Sequence, residues 1–308
     1  MSIGAGRDQA YDPAMTMQEE GTAGDEADAG EQGPTGAAEL TTPDGRTVRY
    51  FDTGSSSTGG TVLWHHGTPQ TGAIIPPIAA AAEAAGLRVV SVARPGYPGS
   101  TENPGRTIAS AAADALLVLD ALGIDTFVTA GASGGGPHAL ACAAIAPDRV
   151  TAVATIASLA PRWDTDDWFS GMASPEALLT AIMGRDARLH HAERAEFDES
   201  SFTDRDWAAL SGAWGPLGAD AQAGSAAGPA GESDDDVAYV TPWGIDLAAV
   251  TAPTLLVHGG ADRVVPVAHA HALLERIPNA DLLLRRRDGH VSALAALPLA
   301  LLWLRDPA

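Results

Sequence analysis

The sequence predicts an α/β fold in which helices cover both faces of a mostly parallel sheet. Three observations lead to this prediction. Short apolar runs rich in β-branched residues recur along the chain, Ala-rich stretches with helical spacing lie between them, and strand and helix alternate with few interruptions. Continuous apolar runs are typical of strands buried on both faces. Regular alternation of strand and helix favours parallel pairing.

The predicted elements can be placed in order along the chain. From Ala37 to Gly54, polar and apolar residues alternate, and the turn Pro43-Asp44-Gly45 divides this stretch into the two strands of a hairpin. Further strands are predicted from apolar runs: 61–67, 88–94, 126–133, about 151–159, 254–260 and 280–289. Helices are predicted between and after them: 78–86, 109–123, 137–146, 269–277 and 293–305.

An insertion interrupts this alternation after the sixth predicted strand. It is rich in acids and Trp, and three of its stretches have helical spacing: 174–184, 192–198 and 204–214. The small and acidic residues of 223–236 suggest a mobile loop. We therefore expect a helical cap over residues 160–243. We expect it to cover the functional site of a core built from 37–159 and 244–308.

Acidic residues dominate the charge of the chain, which has 39 Asp and Glu, 18 Arg, no Lys and a net charge of −21. Residues 1–40 contain nine acids and one Arg, and residues 161–243 contain sixteen acids and five Arg. Such an excess repels phosphate backbones and anionic membranes, and no basic stripe is present to release counterions. We therefore expect no binding to nucleic acid or to membranes.

The N-terminal residues 1–36 are rich in Gly, Ala and acids, so we expect a disordered acidic tail. This tail lacks the basic start and apolar centre of a secretory signal, and no apolar run of the chain approaches the ~20 residues that cross a bilayer. The single Cys, Cys142, allows no internal disulfide, and its Ala-rich surroundings predict a small buried side chain. These features predict a cytoplasmic protein.

Ser133 is the strongest candidate for a reactive residue. It lies at the centre of G-x-S-x-G (131–135), directly after a predicted strand and before a predicted helix. In such a strained turn the hydroxyl points away from the sheet, and a Cβ atom at Gly131 or Gly135 would collide with neighbouring backbone. The N–H of Gly134, at the start of the helix, can stabilise a developing oxyanion. The alternative is a glycine-rich turn with a capping Ser, but the context favours a nucleophile.

A second loop with the residues of an acyl-transfer site is His65-His66-Gly67-Thr68-Pro69. It stands at the end of the apolar run TVLWH (61–65), and a loop after such a strand can provide the second N–H donor that an oxyanion needs. The candidate donor is the backbone N–H of Thr68. We expect His66 to shape the loop rather than to take part in the reaction.

A Ser hydroxyl needs a general base, which is in turn oriented by a carboxylate. Asp262 follows the strand 254–260, and His290 follows the strand that begins at 280. Both residues are therefore expected at the carboxyl edge of the sheet, where α/β proteins build their sites. The order Ser133, Asp262, His290 is the one found with G-x-S-x-G. The alternative acids follow the sixth strand: Asp164, Asp166 and Asp167.

From Ala37 to the C-terminus, the sequence resembles the α/β-hydrolase fold superfamily, in the branch with a helical cap after strand six. The segments that carry this resemblance occur in family order: the elbow 131–135, HGTP (66–69), RPGYPGS (94–100), HGGADRVVP (258–266) and DGH (288–290). The resemblance implies an eight-stranded sheet with an antiparallel second strand, and a Ser–His–Asp triad. In relatives, the loop at 94–100 often starts with Asp and reads G-x-G-x-S. Here Arg94 and Pro98 differ, which affects the loop but not the triad.

The function predicted from these features is that of a cofactor-independent serine hydrolase, which cleaves a small carboxylic ester, thioester or lactone through an acyl-enzyme on Ser133. The Ser at the centre of the elbow argues against haloalkane dehalogenase and epoxide hydrolase activity. Those enzymes resemble this chain in fold but need a carboxylate nucleophile. Proline iminopeptidase, C–C bond hydrolase and cofactor-free perhydrolase chemistry stay open, as does a non-catalytic ligand-binding relative, although an intact triad argues against the latter. The expected partner is a small-molecule substrate, and a homo-oligomer is compatible with the sequence. No metal is expected, because the His residues lack other ligands at metal spacing.

Overall fold

The computed structural model describes residues 36–54, 59–163 and 165–307. The predicted disordered tail, residues 1–36, lies outside this part of the chain except for Gly36. Within the described residues, no helix is both long enough and apolar enough to cross a membrane.

The strands of the described part form one eight-stranded sheet in the order β1-β2-β4-β3-β5-β6-β7-β8. Their bounds are β1 (Ala37–Thr41), β2 (Thr47–Asp52), β3 (Thr61–His65), β4 (Arg88–Val92), β5 (Phe127–Ala132), β6 (Val150–Ile156), β7 (Thr254–Gly259) and β8 (Ala280–Arg285). The second strand, β2, runs antiparallel to both of its neighbours, and all other pairs are parallel. The predicted α/β fold and the implied antiparallel second strand are therefore confirmed.

Helices cover both faces of the sheet. They are α1 (Pro76–Ala85), α2 (Ile108–Ala121), α3 (Gly136–Ile145), α4 (Glu176–Ile182), α5 (Arg185–Ala192), α6 (Asp204–Leu210), α7 (Gly215–Ala226), α8 (Ala230–Val240), α9 (Ala268–Arg276) and α10 (Leu297–Arg305). In β3, Leu63 packs into a core with α2, α3 and α9, whereas Val62 packs into a second core with α1 and α10. Successive side chains of a strand point to opposite faces, so all five residues of β3 are buried, including the polar Thr61 and His65.

The segment between β6 and β7 contains helices α4 to α8, and we refer to residues 160–243 as the insertion. Two sequence predictions within it are wrong. Residues 192–198 do not form a helix, because α5 ends at Ala192 and the following residues are largely exposed. A short helix needs an apolar face packed against a neighbour to be stable.

Residues 223–236 are not a loop, because they contain the end of α7 and the first turns of α8. Three consecutive acids of α8 are buried and paired with Arg side chains from distant parts of the chain. The ion pairs are Arg185–Asp234, Arg94–Asp235 and Arg188–Asp236, each at 2.6 Å. These partners neutralise a stretch whose composition alone suggests a solvated loop.

The start of α8 lies directly against the loop that follows β4. A Cβ atom on Gly231 would lie 2.8 Å from the carbonyl oxygen of Gly96, and one on Gly96 would lie 2.9 Å from the Cα atom of Gly231. Arg106 adds a bond here, since its guanidinium donates to the Gly231 carbonyl at 2.9 Å. The insertion and the core therefore meet backbone to backbone at this point.

Candidate active site

Ser133 lies in a sharp turn between β5 and α3. The strand ends at Ala132, a single 3₁₀ turn spans Ser133–Gly135, and α3 begins at Gly136. Ser133 has a φ angle of +52°, which is rare for a residue with a side chain. Such a conformation persists only where the surrounding structure enforces it, and here it presents the Ser133 side chain at the carboxyl edge of the sheet.

The glycines of the turn are required by close backbone contacts, as the sequence predicts. A Cβ atom on Gly131 would overlap the carbonyl group of Gly135, and a Cβ atom on Gly135 would overlap the carbonyl group of His65. Neither obstacle is the movable end of a side chain. The turn can therefore pack against the end of β3 only with glycine at these two positions.

Replacing Gly135 by Ala is expected to destabilise the fold by about 3 kcal/mol, since the backbone must shift to admit the methyl group. The measurement is the free energy of unfolding in urea. Gly218→Ala is a suitable control, because Gly218 has the ordinary backbone of helix α7, as Gly135 does with a φ of −78°, and a Cβ atom there would meet only the Leu210 side chain at 3.9 Å. Equal losses in the two variants would show that the contact with His65 does not set the cost.

The structure brings Ser133, His290 and Asp262 together in one hydrogen-bonded chain. The Nε2 atom of His290 lies 2.9 Å from the Ser133 Oγ atom, and its Nδ1 atom lies 2.8 Å from the Asp262 Oδ2 atom. With its proton on Nδ1, His290 donates to Asp262 and accepts from the Ser133 hydroxyl. This is the geometry in which an imidazole can remove a proton from a Ser hydroxyl.

The loop after β7 holds the Asp262 carboxylate in a fixed orientation. Its Oδ1 atom accepts hydrogen bonds from the N–H groups of Val264 and Val265, both at 2.9 Å, which leaves Oδ2 directed at His290. The nearby His258 donates from Nε2 to the Val265 carbonyl at 2.8 Å. Burial lowers the pKa of His258, so this imidazole is neutral and does not compete with His290 for the charge of Asp262.

Two opposing effects act on His290, whose imidazole is 12% exposed. Burial, the larger single effect, disfavours the charged form, whereas the charge and hydrogen bond of Asp262 favour it, with a smaller contribution from Asp206. The net result is a pKa above the ordinary 6.5. The site therefore stabilises an imidazolium, which is the form that follows removal of a proton from Ser133.

Asp206 of α6 is a second carboxylate beside this loop, and sequence reasoning missed it. Its Oδ1 atom accepts from the N–H and the hydroxyl of Ser292 at 2.7 and 2.8 Å, and its Oδ2 atom accepts from the N–H of Thr203 at 2.9 Å. The neighbouring Arg205 pairs with Asp288 at 2.8 Å. The insertion thus contacts the chain on both sides of His290.

Of the alternative acids, Asp167 has its carboxylate engaged elsewhere. It accepts from the Trp163 indole N–H at 2.7 Å and from the Thr165 hydroxyl, and it is exposed. Asp164 and the side chain of Asp166 lie outside the described part of the chain.

The loop after β3 lies beside the turn of Ser133. A Cβ atom on Gly67 would lie 3.6 Å from the Ser133 Cβ atom, and the Thr68 hydroxyl is 2.5 Å from the position of a Cβ atom on Gly134. The buried His66 donates from Nδ1 to the Gly67 carbonyl at 2.7 Å and accepts from the Arg94 N–H at 3.2 Å. His66 therefore shapes the loop.

Arg94 also contacts this loop, which the sequence does not show. Its guanidinium donates to the His66 carbonyl at 2.5 Å, to the Gly67 carbonyl at 3.2 Å and to the Thr68 hydroxyl at 3.1 Å. The departure from the family pattern at this position therefore affects more than its own loop. In the sequence, the only indication of these contacts is that Arg94, a residue of opposite charge, replaces the Asp that is usual in relatives.

Two other sequence expectations concern titratable groups. Cys142 is fully buried, as expected, and burial raises the pKa of its thiol, so it is a structural residue. Within the described ranges, no group of three or more His, Cys, Asp and Glu side chains is arranged to hold a metal ion.

Comparison with known proteins identifies similar folds. A family model described as the alpha/beta hydrolase fold matches residues 60–295. A hydrolase from Pseudomonas aeruginosa has a TM-score of 0.67 and 22% identity over 88% of this chain and 98% of that chain. A thermophilic esterase from Thermogutta terrifontis has a TM-score of 0.59 and 22% identity over 86% of this chain and 93% of that chain. An enol-lactonase from Burkholderia xenovorans has a TM-score of 0.65 and 19% identity over 86% of this chain and 96% of that chain. At these identities the solved structures show a shared fold.

Proposed function

This chain belongs to the alpha/beta hydrolase fold family, and from that premise we propose that it is a serine hydrolase that cleaves a small carboxylic ester, thioester or lactone. The observation that carries the proposal is the chain of hydrogen bonds from Ser133 through His290 to Asp262, at 2.9 and 2.8 Å. A Ser in this arrangement is an activated nucleophile, and acyl transfer is the reaction for which it is suited.

The proposed reaction has two halves. The Ser133 Oγ atom attacks the carbonyl carbon while His290 Nε2 takes the hydroxyl proton, and the carbonyl π electrons move to oxygen to form a tetrahedral oxyanion. Collapse expels the alkoxide or thiolate, which receives the proton from His290, and leaves an ester on Ser133. Water then attacks this ester with His290 again as base, and the acid is released as the Ser133 hydroxyl is restored.

Asp262 and two backbone groups complete the proposed mechanism. Asp262 keeps the Nδ1 proton of His290 in place and stabilises the imidazolium through both the acylation and the deacylation half-reactions. The N–H groups of Thr68 and Gly134 are the proposed oxyanion donors, because Gly134 follows Ser133 in its turn and Thr68 lies beside this turn in the loop after β3. The proposed role of the insertion is that of a cap over this site.

One alternative is weakened by the insertion itself. A proline iminopeptidase needs a carboxylate to bind the ammonium group of its substrate, and the acidic insertion could supply one. However, the buried acids of α8 already pair with Arg side chains: Asp234, Asp235 and Asp236. These three carboxylates are therefore not available to a peptide ammonium group.

The proposal is tested by covalent labelling and by a substrate panel. Since the Ser133 hydroxyl is activated by His290, a fluorophosphonate probe is expected to label the native protein on Ser133 alone, as read by peptide mass spectrometry. The panel comprises p-nitrophenyl esters, thioesters, lactones and aminoacyl anilides. Turnover of the anilides alone, or labelling that persists in Ser133→Ala, would contradict the proposed function.

A further inference from the structure

Helix α8 of the insertion contacts both loops that carry the proposed oxyanion donors. The hydroxyl of Tyr239 donates to the Gly134 carbonyl at 3.0 Å and lies 2.8 Å from the Thr68 hydroxyl. The same hydroxyl occupies the space that a Cβ atom on Gly134 would need. One buried side chain of α8 therefore joins the loop after β3 to the turn after β5.

Asp235, one helical turn before Tyr239, anchors this junction. Its Oδ2 atom accepts from the Thr68 hydroxyl at 2.7 Å and from the Tyr97 hydroxyl at 2.8 Å. Arg94 and Arg106 pair with the same carboxylate at 2.6 and 2.9 Å. The side chain of Asp235 is fully buried, so the carboxylate depends on these donors and they depend on it.

The protonation of this cluster is fixed around neutral pH. Burial, and then the charge of Asp235, raises the pKa of Tyr239 well above its ordinary 10.0, so the phenol keeps its proton and stays a donor. Burial, followed by the charge of Arg94, lowers the pKa of His66 and of His138, so both imidazoles are neutral. The charge state of the junction is therefore fixed, with a protonated phenol at Tyr239 and neutral imidazoles at His66 and His138.

From these contacts we infer that Tyr239 is a positioning residue of the oxyanion hole, which, anchored with Thr68 on Asp235, fixes the N–H groups of Thr68 and Gly134 relative to Ser133. The inference rests on the proposed function, in which these two groups bind the oxyanion. Such donors accelerate a reaction only if they are held in place before charge develops. In this proposal the insertion builds part of the catalytic machinery in addition to its proposed role as a cap.

The test uses two variants that each remove one hydroxyl and leave both backbone donors in the chain, Tyr239→Phe and Thr68→Val. We expect kcat for a p-nitrophenyl ester to fall by about 10- to 100-fold with KM changed by less than about threefold, because misplaced donors weaken the transition state and not substrate binding. Affinity for phenylboronic acid, which forms a tetrahedral adduct on Ser, should fall with kcat/KM. Thr68→Ser should recover most of the loss of Thr68→Val.

The control is Thr254→Val, which also removes a buried hydroxyl bond, from Thr254 to the Ala252 carbonyl at 3.0 Å, at the opposite edge of the sheet. It should leave kcat unchanged at a similar cost in melting temperature. Amide hydrogen exchange of peptides from 66–72 and 131–138 gives a readout without substrate, and exchange should be faster in Tyr239→Phe than in the control.

Distinct outcomes separate this inference from the proposed function. A folded Tyr239→Phe protein with wild-type kcat, with a change in KM alone, or with wild-type exchange in both peptides overturns the inference. A wild-type protein that neither turns over the panel nor reacts with the fluorophosphonate overturns the proposed function instead. In that case the exchange rates still decide whether Tyr239 fixes the two loops.

Discussion

Replacing Ser133 by Ala is expected to lower kcat for an ester substrate by about 10⁴–10⁶, and His290→Ala should cost a similar factor. Without Ser133 there is no atom to form the acyl-enzyme, and without His290 the hydroxyl cannot lose its proton at neutral pH. Members of a triad act as a unit, so the double variant should be no slower than either single one. The measurement is kcat on the best ester of the panel. Circular dichroism checks that each variant is folded, and mass spectrometry checks that the chain is intact.

A matched change at an exposed Ser, Ser211→Ala, should leave kcat within about twofold of wild type, since surface substitutions rarely matter. If Ser133→Ala retains more than about a tenth of wild-type kcat, the nucleophile is a different residue or water, because triad removal costs far more than that. Equal labelling of Ser133→Ala and Ser211→Ala by the fluorophosphonate would lead to the same conclusion.

Asp262→Asn is expected to lower kcat by about 10⁴, although the two side chains have nearly the same shape. The Asn amide can donate to Nδ1 of His290, which moves the imidazole proton to Nε2. In that tautomer Nε2 cannot accept the Ser133 proton. Asp167→Asn is the matched control, since its carboxylate accepts from Trp163 and lies on the alternative segment after β6. A slow Asp167→Asn with a near-normal Asp262→Asn would move the triad acid to that segment.

Wild type and Asp262→Asn should differ in the pH dependence of kcat/KM. In wild type, the activity requires neutral His290, whose pKa lies above 6.5 because Asp262 favours the imidazolium. Activity is therefore lost as pH falls through a value above 6.5. Asp262→Asn removes the stabilising charge, so the residual activity should persist to lower pH. The measurement is kcat/KM from pH 4 to 9 for both proteins. If activity falls at the same acidic pH in both, the loss of activity does not reflect the protonation of His290.

The fold and the arrangement of the main candidate residues can be predicted because both depend on local pattern and on sheet geometry. Residues 62–64 are apolar because β3 is buried on both faces, and the glycines around Ser133 reflect collisions that any such turn produces. Parallel strands end at the same edge, so the positions of Asp262 and His290 after β7 and β8 follow from the alternation of strands and helices.

The insertion could not be predicted in the same way, because its stability comes from pairs that are distant in sequence. Arg94 and Asp235 are 141 positions apart, and nothing near either residue indicates the other. Without its partners, the acidic run of α8 has the composition of a loop. Residues 192–198 show the converse error, since a helix-forming composition yields no helix in a segment that stays largely exposed. The role of Tyr239 depends on its contacts with Gly134 and Thr68, which only the assembled structure shows.

The close contact of Gly231 with Gly96 limits how freely the insertion can be exchanged between relatives. Removing α8 would leave Arg94 and Arg106 inside the core without a carboxylate, and an unpaired buried charge costs several kcal/mol. An insertion grafted from a relative must therefore supply a carboxylate that pairs with Arg94 and Arg106. It must also supply a glycine where Gly231 contacts the loop after β4. The insertion is thus not a self-contained module, and substitutions at Arg94, Gly96, Gly231 and Asp235 should be inherited together.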